Sequence, residues 1–532
     1  MQSAMQLRWQ RAPGPAQRSP ATSAPPSSHA APALRPGTLP SPGLSQRPGP
    51  CRRRWPLSCR QRRCLQASAA PPGPGVAVGS SGEGAGALPG EADVVVVGAG
   101  VAGLAAALKL QAAGLQPLVL EAGDGPGGRV RTDKVEGFLL DRGFQIFLTG
   151  YPEAQAVLDY PALRLHSFYA GALVRWQGAW HRVADPLRHP VDGVASLVNP
   201  VGSVADKLRV GLFRLRSTLG SQEALLQRAE MRTLDRLKAE GFSEAITRRF
   251  FRPFLGGIFF DRGLSTSSRL FEFVMRMLAT GSNCLPEQGI GAVALQMAGR
   301  LEPGALRLNT RVLQVEGQRA GQAARVRLAG GGEVAARRGV VVAVEGPEAL
   351  RLLGPALQAS PSKPEPGVGT CCLYFAAPRP ALPGPLLYLS GEEDSAGPVN
   401  NACFPSEVCS SYAPPGQTLC SVSTVGTFPE LSDAELEARV REQLAGWWGA
   451  GEVAAWRHLR TYRIPYAQPN QTPPTNFFRP VALGDSLFCA GDHRGSATLD
   501  GALVSGRMAA EAVLVARDEA GARPLPAQAL SV

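Results

Sequence analysis

From Met1 to Gly82 the sequence has no aspartate, no glutamate and no lysine, yet it has eleven arginines. The 532-residue chain carries a formal net charge of +12, from 55 basic and 43 acidic residues. Without those eleven arginines, 44 basic residues face 43 acids, a net of +1. The rest of the chain therefore has no global basic footprint, and nucleic-acid binding loses its main support. No run of about 18 apolar residues occurs, so no spanning helix is expected. The nearest candidate, Val94 to Leu108, is short and rich in glycine, and peripheral membrane contact stays open. Only six histidines occur, none at ligand spacing with cysteine, and no C-x-x-C appears among ten cysteines, so no metal site is expected. Cys51, Cys59 and Cys64 lie in the N-terminal segment; the other seven read as reduced, mostly buried thiols. Cys371 and Cys372 are neighbours and should point to opposite faces of a strand.

The acid-free segment is rich in Ala, Pro, Ser and Arg and cannot bury enough apolar surface to fold alone. That composition, without an apolar h-region, reads as an organelle transit peptide over residues 1–70, cleaved near Ala67 to Ala70. On another reading, Cys51 to Arg54 and Arg60 to Arg63 are basic RNA-like patches. Composition does not choose between plastid and mitochondrion. A Gly/Ser/Pro-rich linker spans residues 71–91. From Ala92 onward the chain is long enough for two domains with a large core.

The organising stretch is Ala92 to Arg131. Asp93 to Val97 is a β-branched apolar run, suited to a strand buried on both faces. Gly98, Gly100 and Gly103 come next in G-x-G-x-x-G spacing. Gly98 suits the tight turn, Gly100 lets a pyrophosphate approach the backbone, and Gly103 lets the helix pack close to the sheet. Val101 to Ala113 reads as a helix capped by Gly114, whose first residues, Val101 and Ala102, offer free N–H groups to a diphosphate. A second strand, Pro117 to Leu120, ends at Glu121, placed 18 positions beyond Gly103 to accept from an adenosine ribose. A strand, three glycines, a helix, its cap, a second strand and an acid in order point to a dinucleotide fold. Only one such fingerprint occurs, so no separate NAD(P)H domain is expected.

Glu121, Ala122, Gly127, Gly128 and Arg129 form E-A-x-x-x-x-G-G-R, which resembles the flavoproteins of the amine oxidase and phytoene desaturase superfamily. There the Gly-Gly-Arg segment wraps the FAD diphosphate, two glycines permitting close approach and a guanidinium binding phosphate oxygens. The C-terminal Leu487-Phe488-Cys489-Ala490-Gly491-Asp492, with Leu499 to Gly506, closely resembles the superfamily's second FAD signature. The resemblance implies that Gly491 and Asp492 meet the ribityl chain or phosphate-bound water. It also implies that the helix opened by Gly501 and Ala502 points at the flavin N1/O2 edge. Asp500 suits that helix's N-cap. Gly137 to Phe147 resembles a segment beside the flavin ring, which implies that Phe144 and Gln145 border the redox face. Leu285 to Gly291 resembles the superfamily's return to the FAD domain, with Gln288 in place of a usual glycine. Val312 and Val315 match an element that lies by the adenine.

Between the signatures, Leu173 to Val183 reads as a β-hairpin, and Lys207 to Leu278 as mostly helical. The aromatic stretch Phe250 to Phe260 suits a lipophilic pocket or an ordinary core equally. Arg307 to Val315, Ala324 to Leu328, Gly339 to Val344, Thr370 to Phe375 and Leu419 to Thr424 read as strands, and Asp433 to Leu444 as a helix. Trp456 to Pro465 is basic and aromatic, a strand entering the cleft.

The expected class is α/β: a discontinuous Rossmann-like FAD-binding domain (92–150, 281–364, 476–520) with a mixed α+β substrate domain (151–280, 365–475), and a tail at 521–532. The resemblance implies an FAD-dependent oxidoreductase taking hydride at flavin N5 from a small lipophilic, carotenoid- or isoprenoid-like substrate. O2 or a quinone would be the electron acceptor, and the protein would reside in the plastid. No catalytic side chain is named, because such enzymes often need none. Amine oxidases usually carry an aromatic shortly before the C-terminal Gly-Ala pair; here Ala497, Thr498 and Leu499 stand there, so no cage for a cationic amine is evident. A flavin amine oxidase is one alternative. A non-catalytic lipid carrier resembling the GDP-dissociation inhibitors is another, disfavoured by intact Gly127, Gly128, Arg129 and Asp492.

Overall fold

The structure is a computed structural model that describes residues 88–319, 322–358, 367–380 and 382–519. The expected transit peptide at 1–70, the linker up to residue 87 and the tail at 521–532 lie outside the described residues. The strand expected at Asp93 to Val97 forms over Val94–Val97 and sits inside a six-stranded sheet. The order is Leu306–Arg307, Pro117–Leu120, Val94–Val97, Val340–Val342, Leu487–Cys489, Ala482–Gly484. Every neighbouring pair is parallel except the last. A parallel sheet covered on both faces needs strands that are apolar throughout, which V-V-V-V and V-V-V supply.

Alternate side chains of Val94–Val97 enter different cores. Val94 and Val96 pack with the first helix, Val101–Ala112, and the last, Leu499–Glu519. Val95 and Val97 pack against a four-stranded sheet built from Glu91–Ala92, Glu333–Ala336, Ala324–Leu328 and Val312–Glu316. The two helices cross where Gly506 meets Ala102: a Cβ on Gly506 would stand 2.1 Å from the Ala102 carbonyl oxygen. The expected continuous strand from Arg307 to Val315 is instead two strands in two sheets. Asn309, at φ 50°, breaks it in the left-handed region that asparagine tolerates.

A seven-stranded mixed sheet stands beside these layers, ordered Arg457–Gln468, Val368–Ala377, Thr418–Thr424, Val399–Cys403, Leu387–Ser390, Gly171–Trp176, Ala179–Ala184. The last two form the expected hairpin, turning at Gln177 and Gly178, both at positive φ as a type I′ turn requires. Cys371 enters the core beneath the helix Asp433–Trp448, and Cys372 the opposite core, so the neighbours do point to opposite faces. That helix starts where acids and Ser432 place it, in a capping box with Glu435, and runs four residues past the expected Leu444. Seven cysteines among the described residues are free and buried. The region from Lys207 to Leu278 is helical as expected, with one π-helical turn at Thr247–Phe251 before Arg252–Phe259.

The helix crossing yields a matched pair of tests. Gly506→Ala should lower stability by about 1–3 kcal/mol, because the added methyl overpacks the crossing. Gly446→Ala, in a helix position whose Cβ meets nothing within 4 Å, should raise it by about 0.5–1 kcal/mol. Thermal melting of the two variants beside the parent measures both.

Candidate functional site

The site begins where the first strand stops. At Gly98, φ is 100° and a Cβ would lie 2.8 Å from the Ala343 carbonyl oxygen, so glycine is required. Gly103 packs beneath it: a Cβ there would stand 2.0 Å from the Gly98 oxygen. Gly100 is the reverse case. A Cβ on it would meet nothing within 4 Å, because its bare backbone faces a cavity of about 580 Å³ that it helps line. The helix from Val101 has no side-chain cap at its N-terminus. Val101 and Ala102 line the cavity, so that positive end is presented to it.

Glu121 ends the neighbouring strand and ties the turn together. One carboxylate oxygen accepts from the Ala99 N–H at 2.8 Å, the other from the Gly123 N–H at 2.7 Å. A carboxylate has about four acceptor sites, so Glu121, which lines the cavity, keeps capacity for a ribose hydroxyl. Gly127 bridges to Gly100, and its N–H donates to the Ala99 carbonyl at 2.8 Å. Gly128, at φ 58°, would place a Cβ 3.6 Å from the Gly100 Cα. The two glycine segments thus lie side by side as one cradle.

Arg129 and Asp492, 363 positions apart, meet in this cradle through two hydrogen bonds of 2.8 Å each. Arg129 also donates to the Ala467 carbonyl at 2.7 Å and lies over the Tyr466 ring. The two expected contacts, a guanidinium on phosphate and a carboxylate on ribityl, are here each other's partner, and both side chains line the cavity. Burial alone would raise the Asp492 carboxyl; the Arg129 charge and hydrogen bonds outweigh it and hold Asp492 below the usual aspartate range. Glu345 joins them, held above the ordinary glutamate range by burial, with Arg129 opposing. His493 is pushed down to about 4, by burial first, so it is neutral near pH 7.

From the C-terminal signature, Gly491, Asp492 and Ala502 line the cavity. Gly501 does not, but a Cβ on it would stand 2.2 Å from the Ser496 carbonyl oxygen. Asp500 caps a helix other than the one expected. The Thr498 hydroxyl takes the N-cap place by accepting from the Gly501 N–H at 3.0 Å. Asp500 therefore falls in the first turn and accepts from the Glu153 N–H at 2.9 Å, at the start of Pro152–Val157. Ala122 is exposed on the surface outside the lining. Val312 is buried between the six- and four-stranded sheets, outside the residues that line the cavity.

Phe144 and Gln145 line the cavity, and Gln145 donates to the Arg129 carbonyl at 2.8 Å. Gly143, at φ 92°, lets this segment pass Ile464 of the long strand Arg457–Gln468, whose end does enter the cleft. The aromatic stretch Phe250 to Phe260 divides: Phe251 and Leu255 fill the core, Phe254, Ile258 and Phe260 line the cavity, and Phe259 does both. Thr370, Asn401 and Ser423 of the seven-stranded sheet complete the lining. They carry no motif, and only strand pairing brings them together. Behind this wall, Asp141 is buried. It accepts from Thr132 at 2.6 Å, the Ile290 N–H at 2.9 Å and Tyr412 at 3.0 Å, which fixes the Gly289 to Gly291 turn. Burial pushes its carboxyl up to about 6, with those donors opposing.

The profile of the flavin-containing amine oxidoreductase family matches residues 101–514. The chain belongs to this family. FAD is therefore the flavoprotein's cofactor. The open cradle at Gly100, the uncapped helix end and the polar groups at Glu121, Arg129 and Asp492 fit its dinucleotide. Hydroxyneurosporene desaturase of Rhodobacter capsulatus is 55% identical over 53 residues, 10% of this chain and 11% of its own. The 15-cis-phytoene desaturase of Arabidopsis thaliana is 28% identical over 169 residues, 30% of each chain. The matched stretches thus span roughly a tenth to a third of these relatives' lengths. A putative protoporphyrinogen oxidase from Exiguobacterium sp. 255-15 superposes with a TM-score of 0.59 at 17% identity, over 79% of this chain and 98% of its own. Putrescine oxidase with bound putrescine gives 0.56 at 18% identity, over 80% and 99%. At such identities the likeness is one of fold.

Two outcomes are expected of the flavoprotein. Gly100→Val should fold with unchanged circular dichroism, since its side chain has room, yet purify colourless because it fills the pyrophosphate's place; stoichiometric yellow flavin in this variant would refute the site. Asp141 binds its proton more tightly folded than unfolded, so its contribution to stability is full below the unfolded value. That contribution is lost as pH rises through the folded one, between about 4 and 6. Asp141→Asn should therefore gain stability relative to the parent across that window and hold a constant offset above it, read by melting temperature against pH.

Proposed function

We propose that this chain is an FAD-dependent oxidoreductase that removes a hydride from, or isomerises, a lipophilic polyene of the carotenoid or isoprenoid class. Bound FAD supplies a ring that accepts a hydride; the chain supplies position, dryness and fixed charge. The observation that carries the reading is where the cavity keeps its carboxylates. Among the described lining residues these are Glu121, Glu345 and Asp492. Glu121 is bound to the first turn, Asp492 to Arg129, and Glu345 lies within the field of that pair, so all three belong to the dinucleotide cradle. The remaining wall includes Phe254, Ile258, Val274, Leu278, Leu387 and Leu389, uncharged Asn401 and Ser423, and one cation, Arg142, paired with Asp133. A cationic amine entering there would lose its hydration without gaining a counter-ion. A long hydrocarbon gains from every apolar atom it buries. The names of the desaturases among its relatives support the same class, and the acid-free residues 1–82 support import into an organelle, a plastid on the desaturase resemblance, with the mitochondrion as alternative.

Anaerobic titration of the oxidised flavin separates the readings. A polyene isoprenoid in detergent should bleach the flavin absorbance, and putrescine or spermidine should leave it unchanged. Bleaching by a polyamine would overturn the proposal in favour of an amine oxidase. Bleaching by a porphyrinogen alone would replace the polyene with a tetrapyrrole.

A further inference from the structure

Two consecutive helices are packed inside out. In Val204–Ser217 the buried residues are Asp206, Phe213 and Ser217. Its apolar stripe is Val204, Leu208, Leu212 and Leu215, continued by Leu219. The stripe repeats at steps of three and four, so it lies on one face, and that face is in solvent at 47–65% exposure. The preceding helix, Pro190–Leu197, repeats the arrangement, with Leu187 before it and Val191, Val194 and Val198 exposed by 67–86%. Nine of the fifteen exposed large hydrophobic side chains among the described residues fall between Leu187 and Leu219. Burying such side chains is favourable in proportion to their apolar area, so a face this rich in them is built to be covered.

The charge around the stripe selects the cover. Arg209 is 44% exposed while its partner Asp206 is fully buried. Arg216 is 57% exposed over Glu240 at 17%. Arg188 and Arg214 share Asp185 beneath them, and Asp192 is met by Arg182. Asp185, Asp206 and Glu240 are turned inward, Asp192 is half-buried beside Arg182, and Arg209 and Arg216 carry their charge furthest into solvent. A second copy docking by a two-fold contact would set this patch, with its exposed arginines, against itself. An anionic lipid surface offers both apolar depth and opposite charge. No helix among the described residues is long and apolar enough to cross a membrane, so the contact lies in the interface plane.

The patch is also tied to the cavity. Arg188 donates to the Gly281 carbonyl at 2.6 Å and Arg214 to that of Ala279 at 3.3 Å, at the end of Ser268–Thr280. Val274 and Leu278 of that same helix line the cavity. We propose that the face from Leu187 to Leu219 docks the protein on an anionic bilayer and brings the cavity wall to a reservoir of lipophilic substrate. Docking stands on the exposed face alone; only its delivery role rests on the polyene reading.

Flotation of the full-length, FAD-loaded protein tests it, using vesicles of phosphatidylglycerol with phosphatidylcholine beside vesicles of phosphatidylcholine alone. The protein should float with the anionic vesicles, less with the neutral ones, and less as salt rises. The quadruple variant Val191→Gln, Val198→Gln, Leu208→Gln, Leu215→Gln should lose at least about tenfold in vesicle partition, with flavin content and circular dichroism unchanged. Absence of the parent protein from the anionic fraction, or flotation of the variant at the parent level, would refute docking. A dimer that this variant dissolves, with no flotation of either, would give the face to a second copy and refute it too. Flotation is read without substrate: its loss with polyene bleaching intact sinks docking alone, and flotation without bleaching sinks the polyene assignment alone.

Discussion

An ion pair in the cavity wall joins the two ends of this fold. Arg129 and Asp492 share two hydrogen bonds across 363 positions, and the same guanidinium holds the Ala467 carbonyl. Three segments remote in sequence are thereby held at one point on the cradle. Breaking the pair by removing Arg129 would leave the Asp492 carboxylate, 8% exposed, without its counter-charge. Its structural value is registration. The guanidinium is fixed beside Gly100 and Gly128 before any ligand arrives, so little ordering remains to be done when a diphosphate binds.

The second constraint is the close approach of backbone to backbone. Gly98, Gly103, Gly501 and Gly506 each stand where a Cβ would fall within 2.8 Å of a carbonyl oxygen. Gly98 and Gly103 set the first helix's end against the end of the first strand, and Gly506 sets the last helix across the first. Gly100 is spared only because its neighbour is the cavity. Polar groups for a dinucleotide therefore gather at one side of the cleft. The seven-stranded sheet and the helix Ser268–Thr280 close the other side with apolar side chains. That division separates a polar cofactor end from a largely apolar end of the same cavity.

The β–α–β unit was legible because its determinants are local. A β-branched run, glycines at fixed offsets and an acid at the next strand's end specify their own geometry. The capping box at Ser432 and the turn at Gln177 and Gly178 were legible for the same reason. Asp500 and the stretch from Arg307 to Val315 take another form because a neighbouring side chain or backbone angle outweighs their own preference. Thr498 takes the cap that Asp500 suits. Asn309 divides a run that alternates like a single strand. Val312 faces a second sheet that no local pattern announces. The lining residues Thr370, Asn401 and Ser423 lie on different strands and meet only through their pairing.

By itself, then, the order of residues determined the dinucleotide unit, its glycines and the presence of a second FAD signature near the C-terminal end. These arise from backbone freedom and side-chain size over a few positions. Only the tertiary structure decided that Arg129 would meet Asp492, that half of an aromatic stretch would become wall and half core, and that two leucine- and valine-rich helices would turn outward. A helical stripe is the same string of letters whether it faces a core or water. Which of the two it faces is set by what packs against its other side.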